Sequence, residues 1–204
     1  MRVRNLYTGG YASCCYFLMD DAGGFAVVID PSVPPPLSAG ALPGGVILSA
    51  ILLTHTHFDH MLALESWRAL GAPVCVPEQD AVGMTDLRYN VSATLFGAPT
   101  AFPPPDRLLR DGDKIAFGDS VLTVLDTPGH TAGGVSYFGD GKLFCGDTLF
   151  ANGGIGRQDV SGGSAVAICA SIDRLLSLPP ETVIYPGHGG TTTVARERMI
   201  HGLS

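Results

Sequence analysis

The chain has 204 residues, long enough to bury a sizeable core without disulfides. Hydrophobic residues make up 46% and aromatic residues 8%, which excludes wholesale disorder. A net charge of −7, with no basic run to offset it, argues against nonspecific binding to nucleic acid or to an anionic membrane. Met1–Tyr7 lacks the apolar core of a signal peptide, and no apolar stretch is long enough to span a bilayer. The expectation is one soluble, cytoplasmic domain over 1–204, with no nucleic-acid or membrane partner. Five cysteines (Cys14, Cys15, Cys75, Cys145, Cys169) form no Cys-x-x-Cys pair, so neither a disulfide framework nor a zinc knot is supported. Cys145 stands two residues before Asp147 and is expected to be an ordinary buried thiol.

In chain order, a β unit comes first (Cys14–Met19 and Phe25–Ile29), followed by a Pro/Gly linker from Pro31 to Gly45. The apolar run Val46–Leu53 reads as a buried strand and leads directly into Thr54-His55-Thr56-His57-Phe58-Asp59-His60. An extended chain alternates faces, so His55 and His57 share a side. Met61–Leu70 reads as a helix with Asp59 and His60 at its start. Four ligand-type side chains thus gather at a strand-to-helix junction, and imidazole with carboxylate suits zinc or iron. The Pro-rich stretch from Asp86 to Asp111 lacks a clean period and reads as loop or short helices. It either roofs a site or crosses the surface without touching one.

Three more strand ends carry polar residues. His130 follows the β-rich run Val121–Leu125 in a Pro/Gly loop, and His188 follows Thr182–Tyr185 in another. Asp147 ends the apolar run that starts at Leu143. Ligand-type residues at three strand ends, with the cluster at 55–60, point to convergence on metal. Thr191–Ile200 reads as a capped terminal helix, and His201, outside any motif, as a solvated residue. On residues alone, strands alternate with helices in an α/β architecture.

His-x-His-x-Asp-His, Thr-Pro-Gly-His-Thr, Gly-Asp-Thr-Leu-Phe and Pro-Gly-His-Gly, in that order between Thr54 and Gly190, resemble the metallo-β-lactamase-fold hydrolases. Gly154-Ile155-Gly156-Arg157 is similar to the glyoxalase II-like (hydroxyacylglutathione hydrolase-like) branch and the related persulfide dioxygenases. The resemblance implies an αββα sandwich, two mixed β-sheets flanked by helices with metals along one edge. It implies that His55, His57 and His130 bind one metal, that Asp59, His60 and His188 bind the second, and that Asp147 bridges them. Two divalent ions would follow, zinc first, with iron or a zinc/iron mixture as the alternative. A bridging hydroxide would then be the nucleophile on a thioester, with Asp147 and Asp59 catalytic and Asp59 taking up the proton.

Arg157 matches the basic residue of the family's Gly-x-Gly-Lys/Arg segment. It suits either a carboxylate of a small-molecule substrate or a local pair with Asp159. The chain ends about fourteen residues after Gly190, short of the helical domain that full-length glyoxalase II enzymes carry. Recognition of glutathione would therefore rest on Arg157. A persulfide dioxygenase would place a single iron on His55, His130 and Asp147. Pro-Gly-His-Gly favours the two-metal hydrolase over it, and a lactonase or β-lactamase-like hydrolase is the remaining alternative. Nothing in the sequence indicates an oligomeric state.

Overall fold

In the computed structural model every residue is described except Thr8, Ala39, Ala41, Leu203 and Ser204. Six strands build the first sheet in sequence order: β1 (Arg2–Asn5), β2 (Tyr16–Met19), β3 (Phe25–Ile29), β4 (Ile47–Leu52), β5 (Val74–Pro77) and β6 (Arg107–Leu109). Pairing is antiparallel from β1 to β3 and parallel from β3 to β6. The second sheet takes β7 (Lys114–Phe117), β8 (Ser120–Asp126), β9 (Val135–Gly139) and β10 (Lys142–Gly146) as an antiparallel meander. β11 (Val183–Pro186) then lies parallel to β10, and β12 (Thr192–Thr193) closes the edge antiparallel to β11.

Alternation gives each sheet two buried faces. In β2, Tyr16 and Leu18 face one apolar cluster and Phe17 another; in β3, Val27 and Ile29 divide from Ala26 and Val28 in the same way. The shared inner cluster joins Leu18, Ile29 and Leu52 to Leu122, Val124, Tyr137 and Phe144 of the second sheet. Phe144 stacks on Tyr185 at 4.9 Å and meets Tyr16 edge-on at 5.4 Å. Truncating this fully buried ring would cost about 3–5 kcal/mol.

Helices cover the outer faces. α1 (Leu64–Arg68) lays Leu64 and Trp67 on the first sheet, and the Trp67 indole donates to the Val33 carbonyl at 2.8 Å. α2 (Ala165–Leu176) and α3 (Val194–Ile200) press Ile168, Ile172, Leu175 and Val194 against Leu143 and Ile184 of the second. Ser164 caps α2 by accepting from the Ala167 amide, and Thr193 caps α3 through the Arg196 amide. The layers run helix, sheet, sheet, helix, so the αββα sandwich with two mixed sheets stands.

Two local expectations change. The helix read over Met61–Leu70 is only α1, because Phe58–His60 forms a separate 3-10 turn and Met61 (φ −119°, ψ 8°) leaves helical geometry. Gly71, at φ +82°, stops the chain after α1. His201 is half-buried, with its Nε2 shielded beside α2, rather than solvated. Among the described residues no helix is long and apolar enough to cross a membrane.

Candidate metal centre

Each candidate ligand stands just past the C-terminal end of a strand: His55 and His57 after β4, His130 after β8, Asp147 after β10, His188 after β11. Asp59 and His60 occupy the 3-10 turn that continues from His57. The two sheets are tied together at this edge. Val135 N–H donates to the Thr54 carbonyl at 2.9 Å and Cys14 N–H to Gly187 at 2.7 Å, while within the second sheet Gly187 N–H donates to Gly146 at 2.7 Å. Glycine is required where loops close over the cluster, since a Cβ at Gly187 would overlap the Asp147 carboxylate.

All seven predicted ligands come together. His55, His57 and His130 offer ligand atoms within 4.8 Å of one another, as do Asp59, His60 and His188, and as do His55, His60 and Asp147. Asp147 lies between the first two sets: its Oδ1 is 3.3 Å from His60 Nε2, and its Oδ2 is 3.6 Å from both His130 Nε2 and His188 Nε2. His188 Nε2 is also 3.1 Å from Asp59 Oδ2. Six of the seven are about nine-tenths buried or more, while the His188 side chain is 38% exposed.

Hydrogen bonds fix which nitrogens point inward. His130 Nδ1 lies 2.8 Å from the Arg157 carbonyl, which can only accept, so Nδ1 carries the proton and Nε2 keeps a lone pair. His60 Nδ1 likewise meets Asp30 Oδ2 at 2.9 Å. The Thr54 hydroxyl donates to Asp30 at 2.8 Å and so accepts from His55 Nδ1 at 3.1 Å. The inward atoms His55 Nε2, His60 Nε2 and Asp147 Oδ1 are buried with no hydrogen-bond partner, as is His57 Nε2. Leaving such atoms unsatisfied is costly in a protein interior. Imidazole lone pairs and a carboxylate oxygen converging on one point fit divalent cations.

The charges are unevenly lodged. Burial, reinforced by neighbouring imidazoles, pushes His55 well below its usual value and His57 down to about 3. Burial would also lower His60, but Asp147, Asp30 and Asp59 outweigh it and hold His60 well above the usual imidazole range. Burial opposes ionisation of Asp147 and Asp59, yet the surrounding histidines win, and both carboxyls sit below the ordinary range.

Asp30 and Asp80 are absent from the sequence-based site. Asp30 follows β3 in a left-handed conformation (φ +52°), which Asp tolerates better than most residues, and it grips Thr54 and His60. Its position at a strand end was the available signal. Asp80 had none. The Arg157 side chain pairs with Asp159 at 2.7 and 2.8 Å. Cys145 is buried against the Leu149 carbonyl at 3.2 Å, its thiol pushed up to about 12 by burial, as ordinary packing requires. The Pro-rich excursion reaches the site region: the Asn90 carbonyl accepts from Phe58 N–H at 2.9 Å, and Phe96 packs 5.6 Å from the Phe58 ring.

Comparison with known proteins agrees with this geometry. The probable metallo-hydrolase YqgX of Bacillus subtilis (strain 168) is 35% identical over 203 residues, covering 97% of this chain and 95% of that protein. Hydroxyacylglutathione hydrolase of Tolumonas auensis is 36% identical over 175 residues, covering 85% of this chain but only 60% of that relative. BLEG-1 B3 metallo-beta-lactamase superposes with a TM-score of 0.86 at 31% identity, over 97% of both chains. TTHA1623 in a di-iron-bound form gives 0.80 at 36% identity, over 96% of both. A family model described as the metallo-beta-lactamase superfamily matches residues 9–188, a span that takes in every candidate ligand from His55 to His188. The chain belongs to the metallo-β-lactamase superfamily.

Proposed function

We propose that this chain is a two-metal hydrolase whose substrates are thioesters of the hydroxyacylglutathione type. The observation that carries the reading is the pair of complete donor sets on either side of one carboxylate, Asp147. His55, His57 and His130 would hold one divalent ion and Asp59, His60 and His188 the other, with Asp147 between them. Zinc is the first choice for this His/Asp set; the di-iron form of TTHA1623 makes iron the alternative. Bound there, two divalent ions supply Lewis acidity and a water of lowered pKa.

The chain's own residues do the rest. Asp59, kept ionised and 3.1 Å from His188 Nε2, accepts the proton as water adds to the carbonyl. The second carboxylate, Asp147, offsets cationic charge at the centre. Phe150, lying 6.2 Å from the His188 ring, flanks the cluster and lowers the local dielectric. Arg157 is half-exposed, so exchanging Asp159 for a substrate carboxylate is within its reach. Support for the thioester comes from the hydroxyacylglutathione hydrolase relative, of which this chain spans about three fifths. Opening of a lactam or lactone ring is the second reading, favoured by the superposition on BLEG-1.

Purified, metal-quantified protein should carry about two ions per chain and cleave glutathione thioesters faster than neutral thioesters, lactones or a β-lactam. Preference for the β-lactam would transfer the assignment to the second reading. One iron per chain with persulfide-dependent oxygen uptake would overturn both.

A further inference from the structure

Asp80 is fully buried in the 3-10 segment Glu78–Met84 that follows β5. Four residues donate to its carboxylate: Thr56 N–H at 3.0 Å (its hydroxyl also at 3.5 Å), the Thr131 hydroxyl at 3.0 Å, Gly133 N–H at 2.8 Å and the Tyr89 hydroxyl at 2.8 Å. The Thr56 hydroxyl donates in turn to the Asp80 backbone carbonyl at 2.8 Å. Burial pushes this carboxyl up, and each of the four donors pulls it back. A ring of donors is matched by a carboxylate, which only accepts.

The positions of these donors are informative. Thr56 sits between His55 and His57, while Thr131 follows His130 and Gly133 belongs to the same loop. One carboxylate therefore pins the loop carrying two imidazoles of the first set to the loop carrying the third. Across that join His57 Nδ1 and His130 Nε2 stand 2.9 Å apart. There is no slack: a Cβ at Gly133 would overlap the Asp80 backbone, and one at Gly83 would overlap the Thr56 hydroxyl. The second set has a different anchor, Asp30, which contacts His60 directly and reaches the first set only through the Thr54 hydroxyl on His55. The first set is also made of imidazoles alone, so a buried negative charge behind it favours a cation.

We propose that Asp80 is a positioning residue for the His55/His57/His130 site alone, setting its affinity for a divalent cation and leaving the Asp59/His60/His188 site to Asp30. This rests on the two-metal reading and is independent of the substrate. The test is zinc binding to metal-free protein, by competition with a chromophoric chelator, in two backgrounds. His188→Ala leaves the first set complete, and His57→Ala leaves the second.

Asp80→Asn keeps the shape but turns an amide N–H toward donors. It should raise the first-site dissociation constant by about 10–100-fold, the usual effect of losing an outer partner, and leave the second within about twofold. Tyr89→Phe removes a single donor and should give the same asymmetry at about threefold, which keeps the test open if Asp80→Asn does not fold. Equal weakening of both sites, or an unchanged first site, overturns the proposal. A parent protein that binds fewer than two zinc ions overturns the two-metal reading itself, and this inference with it.

Discussion

The two donor sets sit a few ångströms apart and are built on opposite principles. His55, His57 and His130 are three buried imidazoles, of which His55 and His57 are held neutral by burial, and Asp80 is hydrogen-bonded to the backbone of the loops that carry them. Asp59, His60 and His188 carry a carboxylate of their own, stand over Asp30, and include an imidazole that its acidic neighbours favour in the charged form. The first set is closed, while the second opens to solvent through His188. A proton would therefore compete with a cation at His60 more than at His55 or His57. Two donor sets around one carboxylate need not be equal halves, and each half has its own weak point.

The largest effect should come from the residue that belongs to both halves. Asp147 approaches His60 at 3.3 Å and His130 and His188 at 3.6 Å. Asp147→Ala should leave less than about one tightly held ion per chain and lower turnover by roughly 10³-fold, the factor for several kcal/mol of charge stabilisation. The metal-free variant should keep its circular dichroism, because the apolar clusters between and outside the sheets do not include Asp147. Elemental analysis beside initial rates reads this out. A variant with both metals and near-parental turnover would remove Asp147 from the centre of the comparison.

Acid should separate the halves. The free-imidazole value of about 6.5 would suggest that both sites lose metal together near that pH. His57, lowered to about 3, instead stays neutral through mild acid, so protonation of His57 should not weaken zinc at the first site there. His60, raised, binds a proton as pH falls through its folded value, and the second site should lose about tenfold in affinity per pH unit below it. Zinc titrations in the His188→Ala and His57→Ala backgrounds measure the two curves; parallel curves would erase the distinction. Stability of the metal-free protein follows the same signs. The lowered His57 contributes stability that is full above about 6.5 and lost as pH falls toward 3. The raised His60 contributes stability that is full below about 6.5 and lost as pH rises through its folded value.

What was legible in the sequence follows from where the information lies. The seven donors could be read because short motifs at strand ends carry them, and the turn that aims them is local. Asp30 and Asp80 are single acids, and apart from Tyr89, nine positions from Asp80, the partners of their carboxylates lie 24 to 53 positions away. They meet the site because β3 and β5 flank β4 in a parallel array, and that neighbourhood is set by crossovers that leave no local pattern. Over Met61–Leu70 the local pattern does not mark where the helix begins, because Met61, Leu62 and Leu64 suit a helix equally well when a 3-10 turn precedes it. α2 is absent from the expected elements, although Ile168, Ile172 and Leu175 keep helical spacing behind a Ser164 cap. That signal was present, but overshadowed by the glycine-rich loop before it.

The smallest effect belongs to Arg157, whose two ends do different work. Its backbone carbonyl accepts from His130 Nδ1 at 2.8 Å and so fixes a tautomer in the first set. Its guanidinium pairs with Asp159 on a surface where both side chains are about half-exposed or more. Arg157→Ala removes the second function and keeps the first, so zinc content and kcat should hold. If the guanidinium receives a substrate carboxylate, KM for glutathione thioesters should rise by about fivefold while neutral thioesters are unaffected. Added salt should raise KM in the parent in the same way, because an exposed charge pair is screened within about 10 Å at 0.1 M. Equal losses on anionic and neutral substrates would make the side chain a brace for the loop that holds His130. Arg157 would then belong to the first set's scaffold, and the centre's charge asymmetry would stand without any substrate contact to exploit it.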